Sequence, residues 1–179
     1  MPAQTDVAST TAVRVEPSLA QQLDDKFVAA WNSHEVEQLL PLMSDDVVYD
    51  DASWPTQMHG HGEVRAFLES TWRAVPDLAF THEGIVLLDP SGTKTARYWE
   101  GTATQTGFWD PPGLKPGGRR FRFHGATFLE SRDDKLCRIR VVYDVASIMR
   151  QLGVLPGRGS AAERLIMTAA NLRTRLLRR

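Results

Sequence analysis

The chain has 179 residues, the length of one ordinary domain with tails, and its 42% apolar and 24% charged residues exclude wholesale disorder. A net charge of -1 supplies no overall field for nucleic acid or an anionic membrane surface, and no apolar run reaches the length of a membrane span. The single cysteine, Cys137, excludes an intramolecular disulfide and a cysteine zinc cluster, and the N-terminus lacks signal-peptide order. The expected compartment is therefore a reducing cytoplasm, and the expected partner a small molecule or a second copy of the chain.

Residues 1–17 are small, polar and aperiodic, and are expected to form a mobile tail. From Leu19 to Met43 the apolar residues Leu23, Phe27, Ala30, Trp31, Leu39 and Leu40 recur at helical spacing, with a break at His34-Glu35. That pattern predicts a long helix followed by a short one. Ser44-Asp45-Asp46 reads as a turn into a strand over Val47–Asp51, and His59-Gly60-His61-Gly62 reads as a loop. A third helix follows, with Val64, Phe67, Leu68 and Trp72 on its apolar face and Pro76-Asp77 as its stop.

The period then changes from 3.6 to 2, and residues 78–88, 93–106, 119–131 and 136–143 read as strands separated by Pro, Gly and Asp-rich turns. Helices followed by antiparallel strands make an α+β domain. In the strand over 119–131, Phe121, Phe123, Gly125, Thr127 and Leu129 share one face, and Arg122, His124, Ala126, Phe128 and Glu130 share the other. One face is expected to be core and the other to line a cavity. Asp144 to Gly153 reads as a short helix with Asp144 at its N-terminal end. Residues 157–179 read as a linker and a basic amphipathic helix with the stripe Leu165, Ile166, Ala169, Leu172 and Leu176, appended to a domain over 18–156.

Three stretches carry a family likeness: Trp31-Asn32-Ser33-His34-Glu35 with Asp45-Asp46-Val47-Val48; Gly62-Glu63-Val64-Arg65-Ala66-Phe67-Leu68 with Pro76-Asp77-Leu78; and Phe123-His124-Gly125-Ala126-Thr127-Phe128 with Tyr143-Asp144 running into Arg150-Gln151-Leu152-Gly153. Together they resemble the SnoaL-like polyketide cyclases of the nuclear-transport-factor-like superfamily. The resemblance implies a cone-shaped fold, with N-terminal helices packed on a curved, mostly antiparallel sheet that encloses an apolar pocket. The chain departs from the family where Asp134-Lys135-Leu136-Cys137-Arg138-Ile139-Arg140 replaces a Gly-Lys-Ile-x-Glu-x-Trp pattern, and in its C-terminal extension.

From position alone Asp144 reads as a helix N-cap. The resemblance implies instead the acid/base carboxylate, which takes a proton next to a carbonyl, with capping able to coexist. His124 reads as a donor to the developing enolate or as a histidine satisfied by a neighbouring strand. Tyr49, Asp51, Tyr98 and Tyr143 are candidate hydrogen-bonding wall residues, and Trp54, Phe108, Trp109 and Phe128 candidate aromatic contacts for a flat or polycyclic substrate. His59 and His61 near Asp50 and Asp51 lack a complete ligand set, so no metal is expected, and no Gly-rich phosphate cradle precedes a helix. The expectation is a cofactor-independent, homodimeric cyclase that closes a ring by aldol-type or pericyclic carbon-carbon bond formation. Its rivals are an epoxide hydrolase-like or isomerase enzyme, which for hydrolysis would need an arginine between two carboxylates, and a non-catalytic ligand-binding or interaction module.

Overall fold

A computed structural model describes residues 18–177. The expected N-terminal tail, residues 1–17, lies outside the described residues, as does the Leu176 side chain. Helix α1 (Leu19–Ser33) opens on a capping box in which Ser18 Oγ accepts from Gln21 N while Gln21 Oε1 accepts from Ser18 N. Its stripe of Leu23, Phe27, Ala30 and Trp31 is buried, which stabilises the fold by about 1.5–3 kcal/mol for each large side chain. Helix α2 (Val36–Leu39) and a 3-10 turn (Leu40–Leu42) lead into strand β1 (Met43–Asp51).

Strand β2 (Met58–His59) precedes helix α3 (Gly60–Ala74); β3 (Ala79–Leu88), β4 (Lys94–Gln105), β5 (Arg119–Arg132) and β6 (Lys135–Tyr143) then run in succession to helices α4 (Val145–Gln151) and α5 (Ala161–Leu177). Two elements differ from the sequence expectation. Ser44-Asp45-Asp46 belongs to β1 as an irregular stretch where the register against β6 shifts, pinned by Arg132 on both oxygens of Asp46 at 2.7 Å. The glycines at 60 and 62 form the first turn of α3 rather than a loop, because Glu63 reaches back to the His59 N–H at 2.9 Å and satisfies a donor the helix leaves open.

The six strands form one sheet in the order β2-β1-β6-β5-β4-β3, with β1 and β6 parallel and the other pairs antiparallel. Register shifts in β3, β5 and β1 bend it around the helices, giving the expected α+β cone. The expectation that core and cavity occupy opposite faces of β5 is overturned. Phe121, Phe123, Thr127 and Leu129 face the helices, the first three lining the cavity as well as the core, while Arg122, His124 and Phe128 stand exposed on the outer face. The described helices cover one side of the sheet, so the cavity forms between helices and sheet.

Candidate functional site

The cavity lies between α1, α3, α4 and the inner face of the sheet. Phe27 and Trp31 from α1, Phe67 from α3, Phe80 from β3, Trp99 from β4 and Phe123 from β5 supply most of its wall. These rings pack edge to face: Trp31 on Phe80 at 5.7 Å, Phe80 on Trp99 at 4.9 Å, Trp99 on Phe123 at 5.4 Å between centroids. The enclosed cavity measures about 50 Å³, well below the ~300–1,000 Å³ of small-molecule sites. A polycyclic guest therefore requires the aromatic walls to move.

One end of this apolar space is polar. Residues 47, 49 and 51 of β1 point inward by strand alternation, as do 139, 141 and 143 of β6, and the parallel register of Asp51 with Val141 sets Asp51 diagonally against Tyr143. Asp51 Oδ1 accepts from Tyr143 Oη at 2.7 Å, from Ser53 Oγ at 2.7 Å and from Ser53 N at 2.8 Å. Asp51 Oδ2 takes no hydrogen bond among the described residues. Burial pushes the Asp51 carboxyl above its usual range, against the opposing effect of the Ser53 and Tyr143 hydrogen bonds. Tyr143 and Tyr49 are held well above the ordinary phenol value, first by burial and then by the Asp51 charge, so both remain donors. Tyr49 Oη is fully buried with no hydrogen-bond partner of good geometry.

The remaining wall comes from the loop between β4 and β5. Buried Gln105 donates to the Gly107 and Lys115 carbonyls at 2.8 and 3.0 Å and accepts from Gly117 N at 2.7 Å, which closes the loop and seats Trp109 in the cavity against Phe121. Of the sequence candidates, the structure thus brings Tyr49, Asp51, Trp109 and Tyr143 to the cavity.

The other candidates lie elsewhere. Asp144 continues the outward parity of Arg140 and Val142, caps α4 through Ser147 N at 2.9 Å, pairs with Arg158 at 3.3 Å and leaves its side chain 52% exposed. His124 stands on the outer face, its ring stacked on Tyr98 at 6.1 Å and its two nitrogens 3.6 and 3.8 Å from Glu83 and Glu100. Phe128 is also on that face, Phe108 is exposed in the loop, and Trp54 packs behind the wall on Phe67 at 5.4 Å. His61 meets the Met43 carbonyl at 3.3 Å and Asp50 pairs with Arg140 at 3.1 Å.

Ser53 and Trp99 line the cavity although neither was a sequence candidate. The Asp51-Ala52-Ser53 spacing, that of an Asx turn, was a signal present in the sequence, whereas the placement of Trp99 across from Gly125 depends on the register of β4 with β5.

The sequence profile of the SnoaL-like polyketide cyclases matches residues 21–152. Among solved structures, a proposed SnoaL-like polyketide cyclase from Jannaschia superposes with a TM-score of 0.69 at 15% identity, covering 82% of this chain and all of that one. AclR from Streptomyces galilaeus, proposed to be a hydroxylase, gives 0.66 at 22% identity over 89% and 94% of the two chains. IdmH from Streptomyces antibioticus, proposed to be a polyketide cyclase, gives 0.62 at 19% over 74% and 96%. A search of curated proteins finds no match, and among the described residues no helix is long and apolar enough to cross a membrane. With a profile match over most of its length and the same α+β cone, the chain belongs to the SnoaL-like polyketide cyclase family.

Proposed function

We propose that the chain is a cyclase of polyketide-type natural products, acting in the aromatic cavity with Asp51 as its proton-transfer group. The observation that carries this reading is a buried carboxyl with one oxygen free, at the polar end of an otherwise apolar cavity. Desolvation makes the carboxylate a stronger base than an exposed one, as removal of a proton next to a carbonyl requires. The resulting enolate carbon attacks a second carbonyl of the same molecule, one carbon-carbon bond forms, and the new alkoxide takes the proton back. No electrons are lost or gained, so the closure needs no redox partner. Tyr49, with its free hydroxyl, is placed to donate to the developing enolate oxygen.

Hydrolysis of an epoxide is less well supported. Arg97 does sit between Asp24 and Asp25, at 2.5 and 2.8 Å, but none of the three lines the cavity, and no arginine does among the described residues.

The test is exchange of the α-hydrogens of β-tetralone, a bicyclic ketone, in heavy water, followed by NMR. The wild type is expected to accelerate exchange, Asp51→Asn to lose about two to four orders of magnitude of that acceleration, and Asp144→Asn to keep it. Full exchange by Asp51→Asn, or loss in Asp144→Asn alone, refutes the assignment.

A further inference from the structure

The outer face of the sheet carries a second constellation that the cavity chemistry does not use. Glu83 on β3, Glu100 on β4 and His124 on β5 lie on three adjacent strands, each offering one ligand atom, and those atoms are all within 4.8 Å of one another. Among the described residues it is the group of His, Cys, Asp and Glu side chains so arranged. Glu100 and His124 are direct cross-strand partners, and Glu83 pairs with Tyr98, two residues before Glu100 on the same face. The sheet ladder therefore fixes all three Cα positions, and the tips need only small rotamer changes to converge. The His124 ring is further held by its stack on Tyr98.

We infer that Glu83, Glu100 and His124 form a binding site for a divalent transition-metal cation of the zinc class. One imidazole nitrogen and two carboxylate oxygens match that ion's donor preferences, with open positions left for water. They do not match magnesium, which keeps to oxygen in a near-ideal octahedron. The local charge also fits: two carboxylates face a single arginine, Arg122, whose Nη1 lies 3.5 Å from Glu100 Oε2. That guanidinium competes with the cation for Glu100, which gives the site a signature that a purely structural cluster lacks.

The experiment is calorimetric titration of the untagged full-length chain, freed of metal by a chelator, with zinc chloride and separately with magnesium chloride. Saturable zinc binding at one site per chain with no magnesium binding is expected. His124→Ala, Glu83→Gln and Glu100→Gln should each weaken zinc by at least about tenfold, since even outer-shell partners of metal ligands contribute ~10–100-fold. Arg122→Gln should bind zinc more tightly than the wild type, whereas His59→Ala should leave binding unchanged. Circular dichroism of each variant shows whether the fold is retained; all four outer-face side chains are at least partly exposed. Zinc affinity unchanged in His124→Ala and Glu83→Gln, or lost in His59→Ala, overturns the site.

Discussion

Gly125 sits on the inner face of β5 directly opposite Trp99, and a Cβ built there would lie 2.5 Å from the indole ring and 2.6 Å from the Val142 carbonyl. The ring could shift only into the cavity, and the carbonyl belongs to the neighbouring strand. Gly125→Ala is therefore expected to destabilise the fold by about 1–3 kcal/mol, as overpacking of a filled core does. Gly62 in the first turn of α3 meets nothing within 4 Å, so Gly62→Ala is expected to be neutral or to stabilise by up to about 0.5–1 kcal/mol. Equilibrium urea unfolding of both variants checks the contrast, and equal midpoints would refute it. The same alternation separates Asp51 from Asp144. Tyr143 and Val141 are inner-face residues, so an aspartate following directly on Tyr143 continues the outer parity. That parity was legible in the sequence; the family resemblance, which favours Asp144, pointed the other way. What the sequence could not reveal is that Asp51 and Tyr143 meet, because their contact spans 92 positions and depends on the parallel register of β1 with β6.

At the scale of elements, α1 is clamped to the sheet by a charge cluster whose Asp24–Arg97 pair is buried. Arg97 of β4 reaches Asp24 and Asp25 and donates to His82 Nδ1 on β3. Burial first, and then the Arg97 charge, lowers the His82 value, so the ring stays a neutral acceptor. Burial raises Asp24 to about 6 against the pull of Arg97. The folded chain thus takes up a proton at Asp24 more readily than the unfolded chain between about 6 and 3.8; the Asp24 contribution to stability is fully present below about 3.8 and is lost as pH rises through about 6. Arg97→Met leaves a buried carboxylate uncompensated, at a cost of about 3–5 kcal/mol near pH 7. That cost should be smaller near pH 5, where Asp24 is largely protonated in the variant. Thermal unfolding at the two pH values tests this: an equal loss at both would place the cost in packing rather than charge. Individual helices and strands were legible in the sequence because period 3.6 and period 2 follow from burial of one face. The clamp was not, since Asp24 and Asp25 look like ordinary polar positions of an exposed helical face until β4 brings Arg97 beneath them.

At the scale of the whole molecule, the side of the sheet that the helices leave uncovered was the least legible feature. Both faces of β5 carry aromatic residues, so alternation alone does not say which is core. In the structure the outer face exposes Leu87, Tyr98, Phe128 and Val142, and α5 exposes Leu165, Ile166 and Leu172, tied to the body through Glu163 and Arg150 at 3.8 Å. These three residues of the α5 stripe do not pack on their own subunit. Two unpartnered apolar surfaces on one chain suit pairing of copies through the outer sheet face. A stable pair needs about 800 Å² per partner, and the exposed side chains of β3 to β6 span four adjacent strands from the β3 edge inward. Phe128→Arg places a charge in that seam, 45% exposed in the single chain and so harmless to its fold. Light scattering at micromolar concentration is expected to show a dimer for the wild type and a monomer for Phe128→Arg, with unchanged circular dichroism. Deleting everything after Pro156 is expected to leave the cavity intact but to weaken the dimer or its solubility, because the α5 stripe then no longer contributes to the partner contact. A monomeric wild type, together with an equally soluble truncated chain, would rule out both the sheet pairing and the role of α5.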